Sequence, residues 1–166
     1  MRGQMMDFPL TLTSILERAG ALFASREICS RLPDKSIHRT DYRAFHRRAR
    51  ALGEALTRAG LRRGDRVATL MWNHAWHLEA YFGIPAAGGV LHTLNLRLHP
   101  DDIAYIAGHA DDRFLIVDDE LWPTNDGIFP TMATAVSHLA GCEANVKVGY
   151  PQFYWEGTPE LADALG

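Results

Sequence analysis

Cysteine and lysine are scarce in this chain. Cys29 and Cys142 are the two cysteines among 166 residues, far apart and in no CxxC pair, which excludes a disulfide scaffold and a thiol-built metal module. They are expected to be reduced, largely buried thiols in a cytoplasmic protein. Lysine occurs only as Lys35 and Lys147, so arginine carries the basic charge. Long apolar runs are missing too. The longest uncharged stretch, Ala80 to Leu96, is broken by Pro85 and three glycines and contains His92, Thr93 and Asn95. A spanning helix needs roughly 20 predominantly apolar residues, so no membrane span is expected. Asp7 and Pro9 interrupt the start before any apolar leader core forms, and no targeting segment is read there. The net charge of -3 names neither nucleic acid nor a membrane surface as partner.

What is present suits one globular domain. At 47% hydrophobic and 22% charged the chain is neither disordered nor a low-complexity repeat. A chain of this length buries roughly 68–70% of its unfolded surface, so it can fold without a metal or disulfides.

The periodicities divide the chain. Leu12, Ile15, Leu16, Ala19, Leu22 and Phe23 recur at spacings of three and four, which predicts a helix over 11–24, and Ser14 with Glu17 has capping-box spacing. Residues 26–32 and 36–38 flank Pro33-Asp34-Lys35, which predicts a hairpin. Thr40 to Ala59 is the clearest helix, capped by Thr40 and stopped by Gly60. Its apolar stripe is Phe45, Ala49, Leu52, Leu56 and Ala59, and its other face carries Arg43, Arg47, Arg50, Glu54 and Arg58.

From Asp65 the pattern becomes strand, helix, strand, helix, strand. Strands are expected at 67–71, 90–94 and 114–117. Between them Asn73 caps a helix from His74 toward Gly88, with Leu78, Tyr81 and Phe82 inward, and Pro100 opens a third helix. This order predicts an α/β fold, a βαβαβ parallel sheet with flanking helices. The two leading helices are expected to cover one face of that sheet. After Leu121 the periodicity fades; 122–127 is turn-rich and Met132 to Leu139 can form one helix. Residues 1–121 are therefore set apart from 122–166, a tail of uncertain structure.

Charge is unevenly spread. Residues 39–66 hold nine arginines against three acids, and residues 101–126 hold eight acids against Arg113. Two solvated faces would account for this, as would a self-complementary dimer surface pairing the basic helix with the acidic stretch. Arg43, Arg47 and Arg50 are the candidates for such a surface. The arginine helix has no interleaved aromatics, so nucleic acid is not expected.

His74-x-x-His77 places two imidazoles on one helical turn, but no third ligand or HExxH pattern accompanies it, so no metal site is read. The turn after the first parallel strand is Met71-Trp72-Asn73-His74, with bulky residues where a dinucleotide fold needs bare backbone beside phosphate. No local Ser/His/Asp or Cys/His motif stands out, and no catalytic residue is assigned.

Three strings occur in order: Gly64-Asp65-Arg66-Val67-Ala68-Thr69-Leu70-Met71-Trp72-Asn73 with His77 to Pro85, then Gly89 to Leu98, then Ile103 to Arg113. Over residues 8–121 the chain closely resembles the N-terminal portion of adenylate-forming acyl-CoA synthetases, in the medium- and long-chain fatty acyl-CoA ligase branch that includes the methylmercaptopropionate ligases. It departs from that branch at Leu96, where Asn-Pro-Arg is usual. The resemblance implies the N-terminal subdomain of the adenylate-forming fold and a two-step reaction: a carboxylate attacks the α-phosphate of ATP, and the thiol of CoA then displaces AMP from acyl-AMP. ATP, Mg²⁺ and CoA are implied for the full-length enzyme, with none bound by this chain alone. The family's Ser/Thr/Gly-rich phosphate loop and catalytic lysine have no counterpart here, and the tail does not resemble the family's continuation.

The expectation is an N-terminal fragment of a fatty acid–CoA ligase, inactive by itself, whose partners are the rest of the ligase, a full-length homologue or a second copy. A stand-alone binding or dimerisation module, or a small enzyme reusing the fold, are the alternatives. Trp72, Asn73, His92, Thr93 and Asn95 fall at expected strand ends, where open α/β sheets place ligands, and are candidates for bordering the acyl or CoA entrance. Turn and cap roles would also explain them.

Overall fold

The computed structural model describes residues 8–32, 34–118, 121 and 147–150. The chain starts with helix α1 (Leu12–Leu22), then strands β1 (Glu27–Arg31) and β2 (Ile37–Asp41), which pair antiparallel as the expected hairpin. Asp34 organises the turn: its Oδ1 accepts hydrogen bonds from both the amide (2.9 Å) and the hydroxyl (2.6 Å) of Ser36. Those bonds hold the Asp34 carboxyl below the usual carboxylate range. Cys29 lies on this hairpin and is exposed, against the expectation of burial, because β1 turns every second residue to solvent.

Helix α2 (Tyr42–Arg58) follows directly. Its N-cap is Asp41 rather than Thr40, because β2 runs through Asp41 and the helix starts one residue later than the sequence suggested, at Tyr42. Asp41 Oδ1 accepts from the Ala44 amide at 2.8 Å, satisfying one of the donors a helix start leaves free. Gly60, at φ +97°, ends the helix in the left-handed region where a Cβ is costly. The expected stripe is buried at Phe45, Ala49, Leu52 and Leu56.

The sheet is parallel throughout, in the order β4-β3-β5-β6, from β3 (Arg66–Leu70), β4 (Val90–Thr93), β5 (Asp112–Asp118) and β6 (Lys147–Tyr150). Helices α3 (Ala75–Ala86) and α4 (Pro100–Ala110) make the crossovers. The βαβαβ unit is as read from the sequence. The fourth strand falls in a stretch the sequence left unplaced, since Val148-Gly149 has no apolar run to mark it. The expected helix at 132–139 lies outside the described residues.

Helices pack on both faces of the sheet. Val67, Met71, Phe114 and Ile116 meet Leu52, Leu56, Ala80 and Ile84 of α2 and α3. Ala68, Leu70, Leu115 and Val117 meet Ile103 and Ala107 of α4. This period-two division of β3 and β5 is the pleat of a strand buried on both sides. The two leading helices were expected to cover one face together; only α2 does so, with α3, while α1 packs on α2 and α3 through Leu16 beside Phe45 and Ala49. Leu12, Ile15, Leu22 and Phe23 stay exposed. The capping-box pair is not used as one, since Thr11 is the N-cap and Glu17 instead reaches His46 at 2.9 Å.

Helices α2 and α3 meet through small residues. A Cβ built on Gly83 would lie 2.5 Å from the Ala49 carbonyl oxygen, and one on Gly53 would lie 2.9 Å from the Gly83 carbonyl oxygen. Glycine is what lets the two backbones approach this closely.

Candidate functional site

The carboxyl ends of β3, β4 and β5 form the most heavily polar part of the core. Asp118, the last residue of β5, is 2% exposed. Its Oδ2 accepts the Trp72 amide at 2.7 Å, and both its oxygens lie 3.0 Å from His74 Nε2. A buried carboxylate is costly unless its lone pairs are met, and these two donors meet them. His74 is the N-cap of α3, replacing the expected Asn73, because its Nδ1 accepts the His77 amide at 3.3 Å. With Nδ1 an acceptor, the ring proton sits on Nε2 and points at Asp118.

His77 lies one turn on. Its Nε2 is 3.0 Å from Thr69 Oγ1 on β3, and both residues are buried. Burial holds the His77 pKa below its ordinary value, and the nearby Asp118 charge only partly opposes this. The His-x-x-His pair is thus spent on capping and packing. Among the described residues no group of three or more His, Cys, Asp or Glu side chains could hold a metal ion.

Above this buried layer the chain is open. Trp72 is 40% exposed and Asn73 is exposed, just after β3. On the neighbouring strand Thr93 stands opposite Thr69 at the end of β4 and is exposed. Asn95 is exposed as well, and its Oδ1 accepts the Arg97 amide at 3.0 Å. That Asx-type bond closes the turn in which Leu96 stands, and Leu96 packs against the α4 side of the core. Four of the five sequence-predicted entrance residues therefore emerge from adjacent strand ends.

His92 does not join them. It lies one residue inside β4, half-buried, with Nδ1 2.8 Å from Asp112 Oδ2. Burial raises the Asp112 pKa, and the bond to His92 partly opposes that rise.

Arg43, Arg47 and Arg50 are exposed on the outer face of α2, away from the strand ends. Arg50 lies 3.6 Å from Glu17, and among the described residues no ion pair holds Arg43 or Arg47. Arg50 also lines an open groove of about 330 Å³ with Gly53, Thr57, Arg58 and Ala86, beside the end of α3 that leads into β4. The acidic stretch is less of a surface than its composition suggested, because Asp118 is buried on His74 and the Asp112 carboxylate is held by His92. Asp118 was missed as a site residue: an acid ending an apolar strand carries no sign of a partner 44 positions away.

Comparisons with known proteins give a consistent result. A family model described as "AMP-binding enzyme" matches residues 16–153, a span that runs past residue 121. The chain is 46% identical over 161 residues to a long-chain-fatty-acid–CoA ligase of Thermus thermophilus, covering 97% of this chain and 29% of that protein. It is 42% identical over 134 residues to a 3-methylmercaptopropionyl-CoA ligase of Ruegeria pomeroyi, covering 81% of this chain and 25% of that one. The crystal structure of an anthranilate CoA ligase in complex with anthranoyl-AMP superposes with a TM-score of 0.70 at 25% identity, over 96% of this chain and 28% of that chain. The chain thus spans between a quarter and a third of the length of these relatives.

Proposed function

Because this chain belongs to the AMP-binding enzyme family, we propose that it forms the N-terminal part of an ATP-dependent fatty acid–CoA ligase acting through acyl-AMP. The observation that carries the reading is identity of 46% sustained over 161 residues of a long-chain-fatty-acid–CoA ligase. In this reaction a carboxylate oxygen attacks the α-phosphorus of ATP and pyrophosphate leaves. The sulfur of CoA then attacks the acyl carbonyl and AMP leaves. Both steps concentrate negative charge at the reacting centre and need preorganised donors or cations there. Mg²⁺ in such a reaction is held chiefly by the phosphates with one or two carboxylates, and on this reading those carboxylates belong to the remainder of the ligase.

The role of this chain is to build the parallel sheet and present its carboxyl ends. Trp72, Asn73, His92, Thr93 and Asn95 border the acyl or CoA entrance in this reading. The exposure of Trp72, Asn73, Thr93 and Asn95 supports it, and His92 serves from one layer below. Arg43, Arg47 and Arg50 carry the surface of a homodimer, an assignment supported by their exposure on one helix face. The reading places the protein in the cytoplasm, in keeping with a free thiol at Cys29. Among the described residues no helix is long and apolar enough to cross a membrane.

Carboxylate-dependent ATP–pyrophosphate exchange tests the proposal. The chain alone is expected to give no exchange, because a phosphate loop and its lysine are missing from the sequence. Mixed with a Thermus thermophilus ligase from which the matching segment has been deleted, it is expected to restore exchange. Robust exchange by the chain alone would show an independent enzyme. Failure to restore exchange or to bind the deleted ligase would leave a self-contained binding module.

A further inference from the structure

The buried polar residues at the strand ends form a chain of contacts that a single proton can break. His74 is 7% exposed and is fixed at both ring nitrogens. Nε2 donates to Asp118, and Nδ1 accepts the amide that opens α3. Asp118 in turn accepts the amide of Trp72, the exposed residue of the strand-end turn. The turn Trp72–Asn73 and the first turn of α3 therefore hang on one imidazole, and only while its Nδ1 is bare. A proton on Nδ1 faces the His77 N–H donor to donor, so the cap bond is lost even though the pair with Asp118 becomes an ion pair.

We infer that the His74–Asp118 pair is an acid-sensitive latch that holds the Trp72–Asn73 turn and the start of α3 in place, and releases that cap when His74 takes up a proton. The surroundings leave little to replace the lost acceptor. From β5 comes Asp118 alone, and from β3 comes Thr69, already engaged with His77. From α3 come His77, with Tyr81 packed on its ring, and Trp76, whose ring meets the edge of His74 at 5.0 Å. From β2 comes His38, tilted against Trp76 at 5.5 Å between ring centres. Arg48 of α2 is committed one turn further on, at 2.9 Å from Glu79. Burial holds the His77 pKa below its ordinary value, whereas His74 has both Asp118 carboxylate oxygens 3.0 Å from its Nε2. The inference is independent of the ligase reading, because it concerns the folded chain and not its reaction.

Amide hydrogen exchange on the whole chain tests it. Between pH about 7.5 and about 5.5, a range in which an imidazole titrates, protection of the His77 amide is expected to fall about tenfold more than that of Leu52 and Leu56 in α2, after correction for intrinsic rates. In His74→Asn the asparagine still caps α3 but cannot titrate, and His77 protection is expected to follow α2 at both pH values. Equal loss in wild type and His74→Asn would overturn the latch, as would no excess loss in wild type. Nitrogen chemical shifts of the wild-type His74 ring decide the matter even if the variant does not fold. The expected result is an Nε2–H tautomer whose titration shares its midpoint with the His77 amide shift. A proton found on Nδ1 at neutral pH, or two unrelated midpoints, would refute it.

Discussion

Gly83→Ala is the most direct test of how this core is built. In a helix interior, alanine for glycine normally stabilises by about 0.5–1 kcal/mol through backbone entropy alone. At Gly83 the new methyl carbon would lie 2.5 Å from the Ala49 carbonyl oxygen, with the Leu52 Cβ at 3.4 Å. The obstacle is helical backbone, which cannot rotate aside as a side chain would. Helices α2 and α3 must then separate by close to 1 Å to restore an ordinary contact, and Leu52, Leu56, Ala80 and Ile84 lose packing together. Overpacking of this kind costs about 1–3 kcal/mol, so after the propensity gain of about 0.5–1 kcal/mol the net loss is about 0–2.5 kcal/mol. Gly108→Ala supplies the control, because a Cβ there meets nothing within 4 Å and the residue lies on the exposed face of helix α4. It should gain the full propensity term of about 0.5–1 kcal/mol. Urea unfolding followed by far-UV circular dichroism would give both values from midpoints at a common slope. If Gly83→Ala proved as stable as Gly108→Ala, close approach of the two helices would not be what holds this core.

Three further outcomes are expected. Because burial lowers the His77 pKa, the unfolded chain takes up a proton first, so stability is full above the ordinary value of 6.5 and falls as pH drops below it. Asp112 has the opposite sign, with a pKa raised above 3.8, so its contribution grows only on acidification; urea midpoints at pH about 8 and about 6, compared between wild type and His77→Gln, give the His77 share, and the variant should show the smaller fall. Asp41→Ala should cost about 1 kcal/mol through the lost cap bond to Ala44 while Thr40→Ala should not show that cap loss, and thermal unfolding of both variants would reveal an equal or reversed effect. Replacing Arg43, Arg47 and Arg50 together by Glu should weaken self-association in light scattering, and an unchanged mass at equal concentration would remove these residues from the dimer surface.

Much of the architecture was legible because it rests on local rules. The run Val67 to Met71 between a Gly64-Asp65 turn and a polar loop is a strand buried on both faces, and Pro100 with Asp101 and Asp102 marks the start of α4. Caps were less legible. Thr40, Ser14 and Asn73 are all good capping residues, and each lost to a neighbour or kept another role for a reason outside its own helix. Thr40 lies one residue too early because β2 runs on to Asp41, and His74 displaces Asn73 because Asp118 fixes its ring. Of the candidate site, the exposed positions Trp72, Asn73, Thr93 and Asn95 could be located by counting along strands. The buried layer beneath them could not, since the His74–Asp118 and His92–Asp112 pairs join residues 44 and 20 positions apart.

Helix α1 shows what periodicity does and does not report. Its spacing of Leu12, Ile15, Leu16, Leu22 and Phe23 is a sound amphipathic pattern, yet only Leu16 is buried. A pattern of this kind states that a face is built for burial and says nothing of which atoms cover it. Phe8 and Leu10, just before it in the chain, are exposed as well, with Leu10 at 86% exposure. Exposed apolar side chains scattered singly need no explanation, but six large ones within residues 8–23 are more than scatter. The polar residues of the sheet behave differently: the side chains of Asp118, Asp112, Glu79 and His77 are withdrawn from solvent and each has a partner, although His77 Nδ1 and Asp112 Oδ1 are left without one. Burial is thus concentrated on the sheet and on α2 and α3, while the face of α1 away from them is exposed. If the remainder of a ligase packs on that face, its amides are expected to gain protection from exchange when the deleted ligase is added back, and unchanged exchange over 12–22 would rule that packing out.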